Sequence, residues 1–291
     1  MHPQLQQLIN LLLLLIAGKY TAHIYLAWKE IAGILLFTFF IEHLLYYLRN
    51  KTLNFISFSS LSTAIGVMLM MVTPHYIIYF AVVFFALLQK QFLHYHGKHF
   101  FNPSNFALIS GLLFFYHDAH IVLGQLGDQI WMLGAVGILG VSILYRVNRW
   151  IVPVSFILTY LLFQYFIIIK SDPVLIMESI YYRFYSVSFI VFILFMLTDP
   201  KTTPVKPYAQ VFFATILSLL ATILDYFYGF RVQHLFIVLF FSSPWIVLIQ
   251  EYKKYLEKRT LLLLFTIILL LSLSAIIYIQ IQPPYYFEMD K

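Results

Sequence analysis

The chain has 291 residues, of which 62% are hydrophobic, 19% aromatic and only 10% charged, and its mean hydropathy is +0.87. A soluble domain carries about 25% charged residues, so a water-soluble fold is excluded. The absence of cysteine also excludes a disulfide scaffold and thiolate-ligated metal clusters. The formal charge of +6 is typical of the cytoplasmic loops of a multi-pass membrane protein, so we predict no nucleic-acid partner.

Apolar segments follow one another along almost the whole chain. A helix needs about 20 apolar residues to cross the hydrocarbon core. The predicted spans are 5–27, 31–48, 55–73, 76–93, 129–145, 150–169, 180–197, 208–228, 232–249 and 260–281, with a shorter apolar segment at 103–115. We therefore predict an all-α, polytopic integral membrane helical bundle of about 10–11 transmembrane segments. It divides into N-terminal helices (1–54), a membrane core (55–250), and a basic connector with a C-terminal helix (251–291).

Basic residues cluster between the predicted spans. The five clusters are Arg49 and Lys51; Lys90 and Lys98; Arg146 and Arg149; Lys201 and Lys206; and Lys253, Lys254, Lys258 and Arg259. All five share one face if segment 103–115 crosses the membrane, and the positive-inside rule makes that face cytoplasmic. The 13 residues of this segment span only about 20 Å as a helix, so a re-entrant half-helix is the alternative. We favour crossing, in the cytoplasmic (inner) membrane with lipid as a partner.

Two polar breaks interrupt the apolar sequence with the same local pattern. At Asn102-Pro103 and at Asp199-Pro200, a side chain suited to cap a helix precedes a proline suited to its first turn. The breaks lie 97 residues apart, which favours a degenerate internal repeat. Broken helices at matching positions of two halves indicate a binding site near the bilayer midplane, whereas the alternative is two ordinary turns at the membrane surface.

A helix that starts at each break would present free N–H groups and the positive end of its dipole to an anionic or polar ligand. We expect both helix starts to face one central, cofactor-binding site in which Lys201 balances an anion. The residues predicted to form this site are Asn102, Pro103, Ser104, Asn105, Thr198, Asp199, Pro200, Lys201 and Thr202.

Three acidic residues are candidates for an ion pathway, because ionisable groups inside a span are costly and tend to be functional. They are Glu42, Asp128 and Asp225. Asp225 also suits a position at the membrane interface, and Asp128 also suits a helix cap.

Several histidines are candidate ligands for a metal ion or a haem. His94, His96 and His99 form an H-x-H-x-x-H pattern, which fits either metal ligands or a basic, aromatic cluster at the interface. No carboxylate or cysteine stands beside them, so we predict no metal site. Haem would need two facing histidines, such as His43 and His234, and is not expected.

Three blocks of sequence resemble a known family in their order along the chain. The first comprises Ser59 to Pro74, Lys90 and Phe101-Asn102-Pro103-Ser104; the second, Leu123 to Asp128, Leu133-Gly134 and Arg146 to Pro153; the third, Phe195 to Pro204. Together they resemble the NqrB/RnfD family, the membrane subunits of the sodium-pumping NADH:quinone reductase and of Rnf ferredoxin:NAD complexes. The sequences Asn102-Pro103-Ser104-Asn105 and Thr198 to Pro204 are most similar to those of the free-standing, UnbU-type RnfD-like proteins.

The resemblance implies a urea-transporter-like fold with an internal repeat, a flavin near the membrane, and electron transfer coupled to cation movement. Family members with covalent FMN attach it to the Thr of an S/T-G-A-T-type motif. The matching interval, about 154–190, contains only Thr159, without a preceding Gly-Ala, so covalent FMN is not supported. A non-covalent flavin, FMN or riboflavin, fits the sequence, as does a scaffold that has lost its cofactor.

The sequence contains no Walker A motif, no G-x-G-x-x-G after a strand and no H-E-x-x-H or G-x-S-x-G motif. Transmembrane electron transfer would therefore need redox partner proteins or complex subunits to supply the electrons. Two other functions stay open: a channel or permease for a small polar solute, and a membrane scaffold for a redox or biosynthetic complex.

Overall fold

The computed structural model describes residues 3–21, 24–52, 58–95, 98–122, 126, 130–169 and 177–255, and the single positions 267, 270 and 274. Asp128 and most of the predicted span 260–281 lie outside the described residues. The helices within them are α1 (Pro3–Thr21), α2 (Trp28–Asn50), α3 (Phe58–Met70), α4 (Ile77–Phe92), α5 (Pro103–Phe114), α6 (Ile130–Val147), α7 (Ile151–Phe163), α8 (Met177–Tyr185), α9 (Val187–Val191), α10 (Pro207–Tyr228) and α11 (Gln233–Tyr255). Two π-helical segments, Gln164–Ile169 and Phe192–Met196, continue α7 and α9. The strands are β1 (Met71–Val72), β2 (His94–Tyr95), β3 (Lys98–His99) and β4 (His120–Ile121).

The predicted all-α, polytopic membrane class is confirmed. Four described helices are long and apolar enough to cross a membrane: Trp28–Asn50, Ile130–Val147, Ile151–Ile169 and Pro207–Tyr228. The shorter apolar helices are Phe58–Met70, Ile77–Phe92, Pro103–Phe114, Val187–Met196 and Gln233–Ile249. One predicted span is wrong, because 180–197 is not a single helix: α8 ends at Tyr185 and α9 begins after Ser186.

The helices run alternately between two faces of the bundle. α3 and α5 begin side by side, where Ser104 Oγ donates to Thr63 O at 3.4 Å. Both end at the same short ladder, in which Met71 of β1 pairs with Ile121 of β4. The two helices therefore run parallel, and α4 must return the chain between them.

The basic residues gather at the face where α3 and α5 begin, which we call the basic face. Arg49 Nη1 donates to Gln91 O at 3.1 Å, which joins the ends of α2 and α4. Lys90 lies within electrostatic range of Lys201, and Arg149 lies within range of Asp199. Four of the predicted clusters thus have a member at one face; the side chains of the fifth lie outside the described residues.

Helix α5 has 12 residues, about 18 Å of helix, which is less than the roughly 30 Å of a hydrocarbon core. The chain nevertheless leaves α5 at the face opposite the basic face, because β4 follows it there. Helix α6 then returns, and its last turns border the same region as the start of α5. The segment around α5 therefore carries the chain from the basic face of the bundle to the opposite face instead of turning back.

Close approaches between helices hold the bundle together, as expected where lipid offers no hydrophobic driving force for association. A Cβ added at Gly66 in α3 would stand 2.9 Å from Ser104 Oγ in α5, so only glycine permits this contact without movement. Gly140 in α6 packs in the same way on Leu194 of the second π-helical segment.

Candidate functional site

A cavity of about 110 Å³ with a mixed polar and apolar wall lies at the basic face, near the first turns of α3 and the start of α5, beside the connection from α9 to α10. Hydroxyl and amide side chains form much of its wall: Gln4 and Gln7 of α1, Ser59, Ser62 and Thr63 of α3, and Ser104 of α5. The second π-helical segment closes one side with Leu194, Phe195 and Met196. Widened π-helical turns are frequent at functional sites.

The positive end of one helix dipole points towards this cavity, because α5 begins there, whereas α3 borders the cavity along its first two turns from Ser59 to Gly66. At the start of α5, Asn102 Oδ1 accepts from the N–H of Asn105 at 3.1 Å, and Pro103 occupies the first helical position. The prediction of a capped helix start at Asn102-Pro103 is confirmed. Proline has no N–H, and the N–H of Asn105 is already bonded to the Asn102 side chain. The N–H of Ser104 is therefore the one in the first turn of α5 that remains available to a ligand.

The second predicted helix start is wrong. Asp199-Pro200 lies in a stretch of turns, and α10 begins only at Pro207, after Lys206. Asp199 instead closes a turn on its own backbone, since its Oδ1 accepts from the N–H of Lys201 at 3.0 Å. Such local bonding of aspartate competes with helix capping, so the same Asx-Pro pattern has a different result at the two sites.

The Asp199 carboxylate lies at the start of α5. Its Oδ2 is 3.2 Å from His99 Nε2 and accepts from Asn102 Nδ2, also at 3.2 Å. Burial by itself raises the pKa of the Asp199 carboxyl. The hydrogen bond and charge of His99, together with the N–H and charge of Lys201, lower this pKa by more than burial raises it, so that it lies below its usual value. Asp199 is therefore an internal anion for the positive end of α5.

A second ion pair lies beside the cavity. Lys90 Nζ is 2.9 Å from Glu42 Oε1 and 2.6 Å from Ser60 Oγ, and both charged side chains are nine-tenths buried. Gln91 Nε2 also donates to Glu42 Oε1 at 2.9 Å. Glu42 is thus a paired carboxylate, not an isolated one.

The charges around the cavity sum to a positive value. Lys90, Arg149 and Lys201 stand against Glu42 and Asp199, and Arg49 lies at the same face. An anionic group in the cavity would offset part of this positive excess. The cavity is smaller than the roughly 300–1,000 Å³ of a typical ligand site, so it fits a phosphate or the polar edge of a ring system and not a whole large ligand.

The polar lining fits those parts of a flavin. The Ser59 hydroxyl and the Lys201 ammonium suit a phosphate or a pyrimidinedione edge, whereas the hydroxyls of Ser62 and Ser104 already donate to Phe58 O and Thr63 O. Thr159 has a different environment, since its Oγ1 bonds Ser155 O and Ser218 Oγ, both at 2.7 Å, in the interface of α7 and α10.

The cavity brings together most of the residues that sequence reasoning placed there. Those that line it are Asn102, Pro103, Ser104, Thr198, Asp199, Pro200 and Lys201. Asn105 does not, because its Nδ2 donates to Phe236 O at 3.0 Å. Thr202 is buried away from the cavity, and its N–H donates to Asp199 O.

Sequence reasoning missed His99 as a partner of Asp199, and missed the polar face of α3 as part of the wall. The run Ser59-Ser60-Leu61-Ser62-Thr63 carried a usable signal, since hydroxyls in an apolar helix need partners. The residues at the start of α1 gave no comparable signal.

Asp225 belongs to a different, fully buried centre. Its Oδ1 is 2.7 Å from His234 Nδ1, and its Oδ2 accepts from Gln164 Nε2 at 2.8 Å. The Asp225 side chain does not reach solvent at the end of α10, because it has no exposed surface. His234 pairs with Asp225 and not with His43, whose Nδ1 contacts Phe39 O. No group of three metal-ligating side chains occurs among the described residues.

A family model described as the NQR2, RnfD, RnfE family matches residues 112–255, about half of the chain. The match includes the Asp199 turn and Asp225, whereas the start of α5 and the polar face of α3 precede it. No curated protein matches the chain.

Proposed function

This chain belongs to the NQR2, RnfD, RnfE family of membrane subunits of Nqr- and Rnf-type electron transport complexes, and we propose that it carries electrons with a non-covalent flavin at the cavity of the basic face. The chain is a multi-pass membrane protein of α-helices. Its proposed place is the cytoplasmic (inner) membrane with the basic face in the cytoplasm, by the positive-inside rule.

One observation supports the proposal: the start of α5, the hydroxyl-rich side of α3 and Lys201 border one cavity whose own carboxylate, Asp199, is already bonded to His99 and Asn102. Because Asp199 is held by His99 and Asn102, the remaining donors are available to a second anionic or polar group. A flavin offers such groups in its phosphate and pyrimidinedione, while its apolar rings would lie against the membrane-embedded side chains.

Bound there, a flavin would supply acceptance and release of one or two electrons. The protein's own part is to position the cofactor through Ser59 and Lys201 and to exclude water with Leu194 and Phe195. His99 Nε2 lies 3.2 Å from Asp199 Oδ2 and helps to hold that carboxylate in place.

Redox partner proteins or complex subunits would feed electrons to the basic face, since the sequence contains no dinucleotide-binding motif. Cation movement, where coupled to this transfer, would involve the buried Glu42–Lys90 pair, which lies within electrostatic range of Asp199. Electron supply by partner proteins and cation movement both extend the proposal, and each can be tested separately from flavin binding.

The test is a visible absorption spectrum of the protein purified in mild detergent, repeated on the filtrate after acid denaturation. We expect flavin bands that pass the filter, and at least a fivefold lower flavin content in Lys201→Gln. The matched control is Lys206→Gln, because Lys206 is an exposed basic residue that does not line the cavity. Bands retained on the protein would show covalent attachment.

A colourless protein that also fails to bind added FMN or riboflavin would overturn the flavin proposal. Flux of small polar solutes into proteoliposomes would then distinguish a permease, which conducts, from a scaffold, which does not.

A further inference from the structure

A second cavity lies at the face opposite the basic face, between the start of α2 and the connection from β1 to α4. Its volume is about 250 Å³, compared with about 110 Å³ for the cavity at the basic face. Its wall includes Glu30, Thr73, Tyr25, Tyr76 and Tyr79. A whole drug-sized ligand needs a site of roughly 300–1,000 Å³, so this cavity fits a small organic group or the headgroup of a larger molecule.

Glu30 gives this cavity a carboxylate that has no basic partner among the described residues, unlike the three paired carboxylates inside the bundle. Its Oε2 accepts from the N–H of Ala27 at 2.7 Å, which fixes the side chain at the start of α2. The ammonium of Lys19 is engaged elsewhere, since its Nζ donates to Ile24 O at 3.0 Å. The charge of Glu30 is therefore available to a cation from outside the chain.

Two tyrosine rings stand at the mouth of the cavity. Tyr25 is 80% exposed and Tyr76 is 52% exposed, although both contribute to the wall. Tyr79 forms the inner part of the wall, because it is buried and its hydroxyl donates to Met71 O at 2.6 Å. The face of an aromatic ring is negative, so exposed rings beside a carboxylate attract an organic cation.

The composition of the wall favours an organic ammonium group over a metal ion. A hard metal ion such as Ca²⁺ takes six to eight oxygen ligands, and no group of three acidic or histidine side chains that could hold a metal occurs in the described part of the chain. An ammonium group needs only one opposite charge and gains further from aromatic faces. One fixed carboxylate with two exposed rings supplies both.

The surroundings of the cavity favour a lipid headgroup as the source of this ammonium. The rings of Tyr20 and Trp28, both exposed, lie 5.8 Å apart at the start of α2, and exposed aromatic rings are typical of the level of lipid headgroups. Lys29 precedes Glu30 and is also exposed, so it suits the phosphate that accompanies the amine of a zwitterionic headgroup.

We propose that this cavity binds an organic ammonium group between Glu30 and the rings of Tyr25 and Tyr76, and that its source is the zwitterionic headgroup of a phospholipid such as phosphatidylethanolamine. The cavity and the flavin site lie at opposite faces of the bundle. The proposal therefore does not depend on flavin, and it is tested on protein whether or not the protein is coloured.

The protein is purified in mild detergent and titrated with phosphatidylethanolamine, and native mass spectrometry counts the bound lipid. We expect Glu30→Gln to weaken this binding at least fivefold, because glutamine keeps the bond to the Ala27 N–H but carries no charge. Binding of phosphatidylglycerol, which has no ammonium, should be the same in both proteins. Tyr76→Leu should also weaken binding of phosphatidylethanolamine, whereas Tyr76→Phe keeps the ring and should retain it.

The matched control is Glu178→Gln, since Glu178 is an exposed acidic residue in the first turn of α8 and does not line the cavity. Thermal unfolding in detergent checks that each variant is folded. Equal affinities of folded Glu30→Gln and Glu178→Gln for phosphatidylethanolamine would overturn the ammonium site. An equal loss of phosphatidylglycerol binding in Glu30→Gln would also overturn it.

A titration with free ethanolamine distinguishes the two sources of an ammonium group. We expect little binding of the free amine at concentrations where the lipid saturates the protein. Ethanolamine that binds as tightly as the lipid, and that loses this affinity in Glu30→Gln, would overturn the lipid as the source.

Discussion

At the scale of single residues, Glu42, Asp199 and Asp225 are each held by a basic or imidazole partner. Glu42 pairs with Lys90, Asp199 with His99, and Asp225 with both Arg183 and His234. An unpaired charge in such surroundings is costly. Each pair therefore stabilises the fold while keeping a group that can exchange a proton or a ligand.

The Asp199→Asn variant should lose flavin and activity by at least tenfold while its expression stays normal. Asparagine keeps the shape but turns one acceptor oxygen into a donor, so the contacts from His99 and Asn102 and the turn bond from Lys201 cannot all persist. Flavin content per protein is the measurement. Asp118→Asn, in the turn after α5 at the opposite face, is the control, and full activity of Asp199→Asn would contradict the central site.

The Glu42–Lys90 pair should show a strong coupling energy in a double-mutant cycle. Removal of one partner from a buried pair leaves the other charge uncompensated and costs about 3–5 kcal/mol. We expect Glu42→Gln and Lys90→Met to destabilise the protein individually, and the double variant to recover part of the loss. Denaturant unfolding in detergent measures this; additive effects would mean that the pair is not formed.

At the scale of secondary-structure elements, the cavity depends on how closely the parallel helices α3 and α5 approach. Gly66 permits the approach, and Ser104 bonds the backbone of Thr63 across it. The connection after the second π-helical segment then brings Asp199 to the same point. Helix spacing, and not any one side chain, sets the width of the cavity.

The Gly66→Ala variant should push α3 and α5 apart, because its Cβ would lie 2.9 Å from Ser104 Oγ. Overpacking of this kind costs about 1–3 kcal/mol, and thermal unfolding together with flavin content should report it. Addition of Ser104→Ala should restore much of the stability by removing that oxygen. Gly134→Ala is the matched control, since nothing lies within 4 Å of its Cβ; equal effects of both alanines would contradict the close approach.

At the scale of the whole molecule, the helices alternate between a basic face and an opposite face, and the two buried polar centres lie along this axis. The cavity with Asp199 is at the basic face, and Arg231 and Tyr116 lie beyond the Asp225 centre. This arrangement gives the bundle an axis that runs from the basic face to the opposite face.

Labelling of single cysteines should reveal this direction, because the natural chain contains none. We expect an impermeant maleimide to reach cysteine from outside the cell in His75→Cys and His117→Cys, and only after the membrane is opened in Lys51→Cys and Lys206→Cys. All four positions are exposed. If His117→Cys were labelled in the same way as Lys206→Cys, α5 would not carry the chain across.

Much of the fold could be read from the order of residues, because crossing a bilayer is a local requirement on length and apolarity. The predicted span 208–228 agrees with α10 (Pro207–Tyr228), and the cap at Asn102 agrees with its observed bond to Asn105. Both features depend on neighbours within a few residues. The family resemblance was likewise carried by the order of short blocks.

The pairing of distant side chains was decided by helix packing alone. His99 meets Asp199 across 100 residues and Glu42 meets Lys90 across 48, and no local pattern encodes such partners. Long-range contacts also explain the wrong prediction at Asp199-Pro200. There, the pattern of a capping residue followed by proline forms a turn, and the Asp199 carboxylate bonds His99 and Asn102 at the start of α5. The sequence neighbours of a residue determine whether it forms a helix. The partner of a buried charge, in contrast, is determined by which helices pack together in the folded bundle.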